Sequence, residues 1–385
     1  MNKPLSAWSV LVLGLLMIAF LAGCGGVSAN TPRPTPTPTP NPSPSPNPNP
    51  TPTPAAHGTF VYFSTSASNT VGYRLNPDGT LVALAGSPFA VSGTLAAAGN
   101  FLAASSTNAV STFQVDPATG ALTPAGSGTV NSGGAIAADA RNVYVTGSIP
   151  ANNSTGIYGF ALSGTGMLTP LAGSPYTFTG ACDLCDVPDS LTLNNNVLVQ
   201  GGTGFHTVGD FTTYARGAGG VLGPAQILGT SEIGPVAIQH PTGSISYGLD
   251  EAVFSLDEFT IASNGKATPG PQIFVNNPSD ILIDNTNKFL LMLDFGGVVH
   301  VFTIDQASGA LSQIGTSEAA GTASFTFGMD TTGRFVFVSQ QANPNFPGSV
   351  NQITVYTFDP ASGAMKKLQS YPQAAEPNRP VVISR

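Results

Sequence analysis

Charge is scarce in this chain of 385 residues. Asp, Glu, Lys and Arg together make up 8% of it, and the net charge is −8. Beyond residue 54, twenty acids stand against ten bases, and no basic stripe interrupts them. Such a field repels phosphate backbones, which excludes nucleic acid as a partner. Histidine is scarce too, at four residues, and cysteine numbers three. There is no Gly-x-Ser-x-Gly elbow, no phosphate loop and no Ser-His-Asp arrangement, so the familiar serine-hydrolase and nucleotide-binding signatures are missing. The apolar run Trp8 to Phe20 is too short and too early for an ordinary spanning helix.

Glycine and proline, at 45 and 33 residues, are plentiful. Seven glycines punctuate the chain at 79, 120, 166, 220, 265, 309 and 363, a mean step of about 47 residues that falls in the range of propeller blades. Four of them sit in clear copies of one turn: Asn76-Pro-Asp-Gly-Thr-Leu81, Asp116-Pro-Ala-Thr-Gly-Ala-Leu122, Asp305-Gln-Ala-Ser-Gly-Ala-Leu311 and Asp359-Pro-Ala-Ser-Gly-Ala-Met365. A hairpin turn of this kind places one residue at positive φ, where a side chain is penalised. Alternating segments such as Val71-Gly-Tyr-Arg-Leu75 and Val299-His-Val-Phe-Thr-Ile304 precede the turns, so the repeating unit is β.

Two more strand signatures lie between successive glycines. One is an aromatic or branched run, as in Phe60-Val-Tyr-Phe63 and Phe335-Val-Phe-Val338; the other is a small-residue or aliphatic run before it, as in Gly93 to Ala98. The first aromatic run has no such forerunner, whereas the chain ends in Arg379-Pro-Val-Val-Ile-Ser384. The expected fold is therefore an all-β seven-bladed propeller over residues 57–385, closed by the C-terminal strand, which supplies the innermost strand of the first blade. The large apolar side chains of the second strands fill the wedges between blades.

Residues 1–23 read as a signal peptide, because Leu21-Ala22-Gly23-Cys24 resembles the bacterial lipoprotein box. That resemblance implies cleavage before Cys24, acylation of Cys24 and a membrane anchor; Gly25 implies sorting to the outer membrane. Residues 24–56 form the expected stalk. Thr31 to Pro54 places proline at every second position, which forbids helix and sheet and favours polyproline II. The hydroxyls of the stalk are available to O-linked sugar.

Phe60-Val-Tyr-Phe63, Ser68-Asn-Thr-Val71, Asp78-Gly-Thr-Leu81 and Ala85-Gly-Ser-Pro-Phe89 together resemble a blade of the lactonase-type seven-bladed propellers, the 6-phosphogluconolactonase-like proteins, which are akin to YVTN-type surface repeats. Leu171-Ala-Gly-Ser-Pro-Tyr176 repeats the last phrase. The resemblance implies hydrolysis of lactones or sugar-acid lactones at the cell envelope. The His-x-His and Asp-Leu-Gly-x-Asp stretches of the family's enzymes are missing, so no catalytic residue carries over. The alternative is a non-catalytic, monomeric scaffold that binds a protein or glycan there.

The turns between first and second strands are short and share a face with the glycine turns. The opposite face carries longer connections: Thr146 to Thr155, Thr179 to Pro188, Gly201 to Phe211 and Gln340 to Val350. Binding is expected on that face. Asp189, Asp280 and Arg379 begin innermost strands and should ring the channel mouth, while His206, Asp210, Asp250, Glu251 and Asp294 lie on connections beside it. Arg379 could hold a carboxylate or phosphate or stabilise an oxyanion, and His206 or an Asp could act as general base. Against this stands the reading of the acids as turn caps. No cofactor is called for; Asp250, Glu251, Asp280 and Asp294 could offer oxygens to Ca²⁺ or Mg²⁺, without a recognised metal loop. Cys182-Asp-Leu-Cys185 reads as a local disulfide in an oxidising compartment, with a zinc site as the competing reading.

Overall fold

A computed structural model of the protein describes residues 57–385 except 152–153, 178–187, 195, 203–210, 229–236, 241–243, 251–252 and 346. The expected signal peptide and stalk, with Cys24, and also Cys182 and Cys185, lie outside the described residues.

Seven antiparallel sheets are formed; six run outward through consecutive strands, and the first begins with the last strand of the chain. Each innermost strand touches that of the next blade, and the last touches the closing strand, which in turn touches that of blade two. The ring is thus complete at seven. The closing strand, Pro377–Ser384, pairs antiparallel with Thr59–Thr65, from Thr59↔Ser384 to Phe63↔Pro380. It is the innermost strand of blade one, as its composition predicts.

Strand alternation explains how the blades adhere. Phe60 and Tyr62 point into a core shared with Leu95, Leu102 and Val115 of blade two. Val61 and Phe63, one residue out of phase, point into a core shared with Phe335, Phe337 and Ile353 of blade seven. All four are fully buried. A second strand therefore packs on both faces, and its hydrophobic run is continuous rather than alternating with polar residues.

All seven repeat glycines adopt positive φ, between 73° and 87°. Conformation is only half of the requirement, because the turns also lean on the preceding blade. A Cβ on Gly120 would stand 2.6 Å from the ring of Phe60, and one on Gly363 would stand 2.9 Å from Phe289. Gly79 meets Phe335 and Gly166 meets Phe101 in the same way. At five of the seven repeat glycines the backbone carbonyl accepts a hydrogen bond from that preceding blade. Tyr62 donates to Gly120 O at 2.6 Å, Tyr144 to Gly220 O at 2.5 Å and Tyr247 to Gly309 O at 2.7 Å. Thr112 serves Gly166 O and Thr213 serves Gly265 O.

The aspartates at the start of these turns are caps. Asp116 Oδ1 accepts from the backbone of Ala118 and Thr119, and Asp305 Oδ1 from Ala307 and Ser308. Hydrogen bonds to the ionised carboxylate hold both below the ordinary range.

Two details depart from the expectation. Thr146 to Thr155 is not a long irregular connection: the strands Asn142–Ile149 and Ser154–Leu162 stay paired up to Ser154↔Ile149. Gly156 permits this, because a Cβ there would collide with Ile149 and Tyr176. Blade three also gains a fifth strand, Tyr176–Thr177, beside its third. The Ala-Gly-Ser-Pro-aromatic phrase produces it, and the same phrase in blade one brings Phe89 back against Thr70. Each phrase contains a cis Ser–Pro bond, and each serine accepts from a third-strand glycine: Gly72 N to Ser87 Oγ at 3.0 Å, Gly159 N to Ser174 Oγ at 2.9 Å. The phrase covers edges left bare by outermost strands of only three residues, Leu81–Ala83 and Leu168–Pro170.

Gly120→Ala is expected to destabilise the fold by about 2–4 kcal/mol, combining a left-handed backbone penalty with overpacking against Phe60. Gly164→Ala, in open space, should stay within about 0.5 kcal/mol of the parent. Chemical denaturation of the two variants checks this; equal losses would refute the role of the Phe60 contact.

Candidate functional site

At the mouth of the axis, on the face opposite the glycine turns, lies a cavity of about 720 Å³. Its wall is made by the first residues of innermost strands and by the connections after second strands. The face is the one read from the loop lengths, yet the lining is not chiefly charged. Of the twenty-three described residues that line it, twelve are Ser or Thr, and the only ionisable ones among them are Asp280 and Arg379. Phe295 and Phe325 supply an edge-on aromatic pair, with ring centres 5.3 Å apart at 86°.

The innermost strands are locally irregular at this end. Register breaks between Pro188 and Ser190 in blade four, Pro278 and Asp280 in blade six, Ser324 and Thr326 in blade seven, and opposite Phe63 and Thr65 in blade one. An extra residue on the inner strand re-aims the side chains around it. Asp280 and Arg379 both lie at such breaks, two blades apart, and the structure brings them together.

Asp280 has no solvent exposure, whereas the side chain of Arg379 is 44% exposed. Asp280 Oδ1 accepts from Arg379 Nη2 and from Ile281 N, the latter at 2.8 Å. Its Oδ2 accepts from Phe327 N at 3.1 Å. One carboxylate thus ties together the innermost strands of blades six, seven and one. Burial pushes its pKa up to about 6, opposed by Arg379 and the two backbone donors. Neighbouring bonds repeat the pattern: Ser279 Oγ donates to Phe325 O at 2.7 Å and Ser339 Oγ to Asn378 O at 2.8 Å. Ser105 Oγ and Thr326 Oγ1, also in the wall, are buried without a partner among the described residues.

The other sequence candidates stand elsewhere. Asp294 accepts from Val298 N at 2.9 Å and pairs with His300 Nε2 at 2.9 Å, in the turn between second and third strands of blade six and off the cavity wall. Asp250 accepts from Val253 N and is also absent from the wall. Asp189 occupies the innermost strand of blade four beside Ser190, Leu191 and Thr192, which line the cavity. His206, Asp210 and Glu251 lie outside the described residues. Among the described residues no three Asp, Glu, His or Cys side chains gather to hold a metal ion. Sequence reasoning missed the hydroxyls. Their signal was present in Ser64-Thr65 and Ser105-Ser106-Thr107, which close the apolar second strands where the chain meets the axis.

The proton linkage of Asp280 has a definite sign. The folded state keeps this proton up to about pH 6, the unfolded chain only to the ordinary carboxylate range. The group's contribution to stability therefore falls as pH rises through that window. Without Arg379 the window extends upward, because the buried anion has lost its counter-charge. Arg379→Ala is expected to cost about 2 kcal/mol at pH 8, toward the low side for a broken buried pair because Arg379 is part-exposed, and clearly less at pH 5. Urea unfolding at both pH values checks this; an equal loss at both would exclude electrostatic coupling.

Residues 245–382 match the family model for the lactonase seven-bladed β-propeller, which spans most of the last three blades and the closing strand. No curated protein sequence matches the chain. Among solved structures, a candidate 6-phosphogluconolactonase from Bacteroides fragilis superposes with a TM-score of 0.65 at 18% identity, over 86% of this chain and 100% of its own. The Pseudomonas aeruginosa periplasmic gluconolactonase gives 0.66 at 17%, over 85% and 99%. A Desulfotomaculum acetoxidans protein of unknown function gives 0.60 at 12%, over 85% and 98%. The chain is a seven-bladed β-propeller whose last three blades match the lactonase propeller family model and whose fold is shared around the whole ring with the solved structures.

Proposed function

We propose that this protein is an envelope-anchored lactonase that binds a sugar-acid lactone in the axial cavity and opens its ring. One observation carries the reading. Arg379, fixed from behind by a fully buried carboxylate, leaves donors free at the mouth of a hydroxyl-lined cavity. A sugar lactone presents what such a wall recognises: a polarised carbonyl and an array of hydroxyls. The family match and the likeness to a periplasmic gluconolactonase support the same class and compartment.

In the proposed reaction the N–H groups of Arg379 donate to the lactone carbonyl as charge develops on its oxygen. Water adds to the carbonyl carbon, the ring C–O bond breaks, and the released oxygen takes up a proton to give the hydroxy acid. Asp280 is a positioning residue, since it has no surface with which to touch substrate. His206 or Asp189 would accept the proton of the attacking water. Acylated Cys24 and the proline stalk of residues 24–56 would tether a monomeric ring to the outer membrane, on its periplasmic or exterior side.

A second reading is favoured by a specific feature: the described cavity wall has no imidazole and no exposed carboxylate. On that reading the site binds a glycan or protein without turnover. A panel of sugar lactones incubated with the full-length protein decides between them. The expected outcome is catalysed ring opening, lowered about 10²-fold in kcat by Arg379→Ala and rescued only in part by Arg379→Lys. Absence of turnover across the panel would leave the binding reading.

A further inference from the structure

Resting on the reading of the axial cavity as the ligand site, we infer that it takes an uncharged, hydroxyl-rich ring of hexose size and discriminates against the phosphorylated form of the same ring. The basis is a complete inventory of cations. From residue 57 onward the protein has ten lysines and arginines, and every one belongs to the described residues. Only Arg379 lines the cavity. Arg141, Lys288 and Arg334 stand at the opposite face, in or beside the turns that join innermost to second strands, and Lys266 adjoins a glycine turn there. The residues outside the described set add acids and His206 to the ring, but no lysine or arginine.

The single cation at the wall is already matched. Asp280 sits in contact with it and carries no exposure, and the guanidinium and two backbone N–H groups that donate to it favour its ionised form. Seen from the cavity, the pair is a dipole with donors in front and a full negative charge directly behind. A lactone carbonyl or a sugar hydroxyl needs only the donors. A phosphate dianion needs net positive charge, or several backbone N–H groups, to offset the water it loses on entering. It would meet the Asp280 charge one hydrogen bond away. The remaining wall suits the neutral ligand. Ser and Thr hydroxyls both donate and accept, so they adapt to a ring of hydroxyls. The Phe295–Phe325 pair offers apolar surface to the C–H face of a ring. The volume of about 720 Å³ is ample for one hexose unit.

The test is calorimetric titration of the full-length protein with gluconolactam, a stable lactone analogue, and with its 6-phosphate. The neutral lactam is expected to bind at least roughly tenfold more tightly at low ionic strength, with the gap narrowing as salt screens the repulsion. Thr107→Lys changes an exposed residue of the cavity rim and adds an unmatched cation without touching the Asp280–Arg379 pair. It should raise the affinity for the phosphorylated probe several-fold relative to that for the neutral one. Equal or tighter binding of the 6-phosphate by the parent protein overturns the inference while leaving the cavity a ligand site. Binding of neither probe overturns the reading of the cavity itself, and the inference with it.

Discussion

Everything in this ring depends on one contact: a glycine turn of one blade seated on the second strand of the blade before it. A propeller needs its sheets to meet face to face while each twists away from the next. The aromatic rings fill the wedge, but apolar packing alone does not fix how far one sheet slides along another. The glycine turn does. At Gly120 and Gly166 the backbone reaches the ring at the foot of the neighbouring blade's second strand because no Cβ intervenes, and the carbonyl is held by a phenol or hydroxyl of that same blade; at Gly309 the carbonyl is held in the same way while Ile245 takes the place of the ring. Donor and acceptor are both buried, so a slip of one residue would leave both unsatisfied, at a cost of about 1–3 kcal/mol for each group. Repetition of the contact from blade to blade leaves the disc little freedom to change its spacing.

The blade three–four junction shows that geometry, rather than aromaticity, is what is required. There the residue at the foot of the second strand is Asn142, not Phe. Asn142 Nδ2 donates to Gly219 O at 3.0 Å, and Arg216 of blade four reaches back to Asp139 at 2.6 Å and lies over the Tyr144 ring. The ring contact has been exchanged for a polar one in which Tyr144 still donates to Gly220 O. The same spacing is reached by different chemistry.

This division of labour explains what the sequence could disclose. The periodic glycines, the continuous apolar second strands and the orphaned C-terminal strand are local in sequence or repeat at fixed intervals, so blade number and closure were legible. The pairing of Asp280 with Arg379 was legible only as a shared location at the channel mouth. That they touch follows from register breaks in several innermost strands, which leave no periodic trace in the sequence. The hydroxyl wall escaped notice because Ser and Thr are common throughout a chain with so little charge, and only their position at the ends of buried strands sets them apart. Asp294 drew attention as a rare charge, yet its oxygens are occupied by Val298 N and His300. Scarcity of charge pointed to the mouth but did not separate caps from site.

The two faces of the disc are therefore built on opposite rules. On the glycine-turn face the acids are spent as caps on backbone N–H groups, which fixes loops and leaves little chemistry. On the cavity face the innermost strands bulge, and the fully buried Asp280 is held by two backbone donors and a partly exposed guanidinium. That acid joins the strands of blades six, seven and one at the very place where the ring is sewn shut by the chain terminus. Closure and the candidate site share an interaction, so the orientation of Arg379 toward the cavity is as fixed as the ring itself. A donor held in this way loses little freedom when a carbonyl arrives, which is the preorganisation that binding and electrostatic catalysis both require. The same sharing limits the site, because the charge that orients Arg379 also cancels it, and recognition is left to hydrogen bonds rather than to net charge.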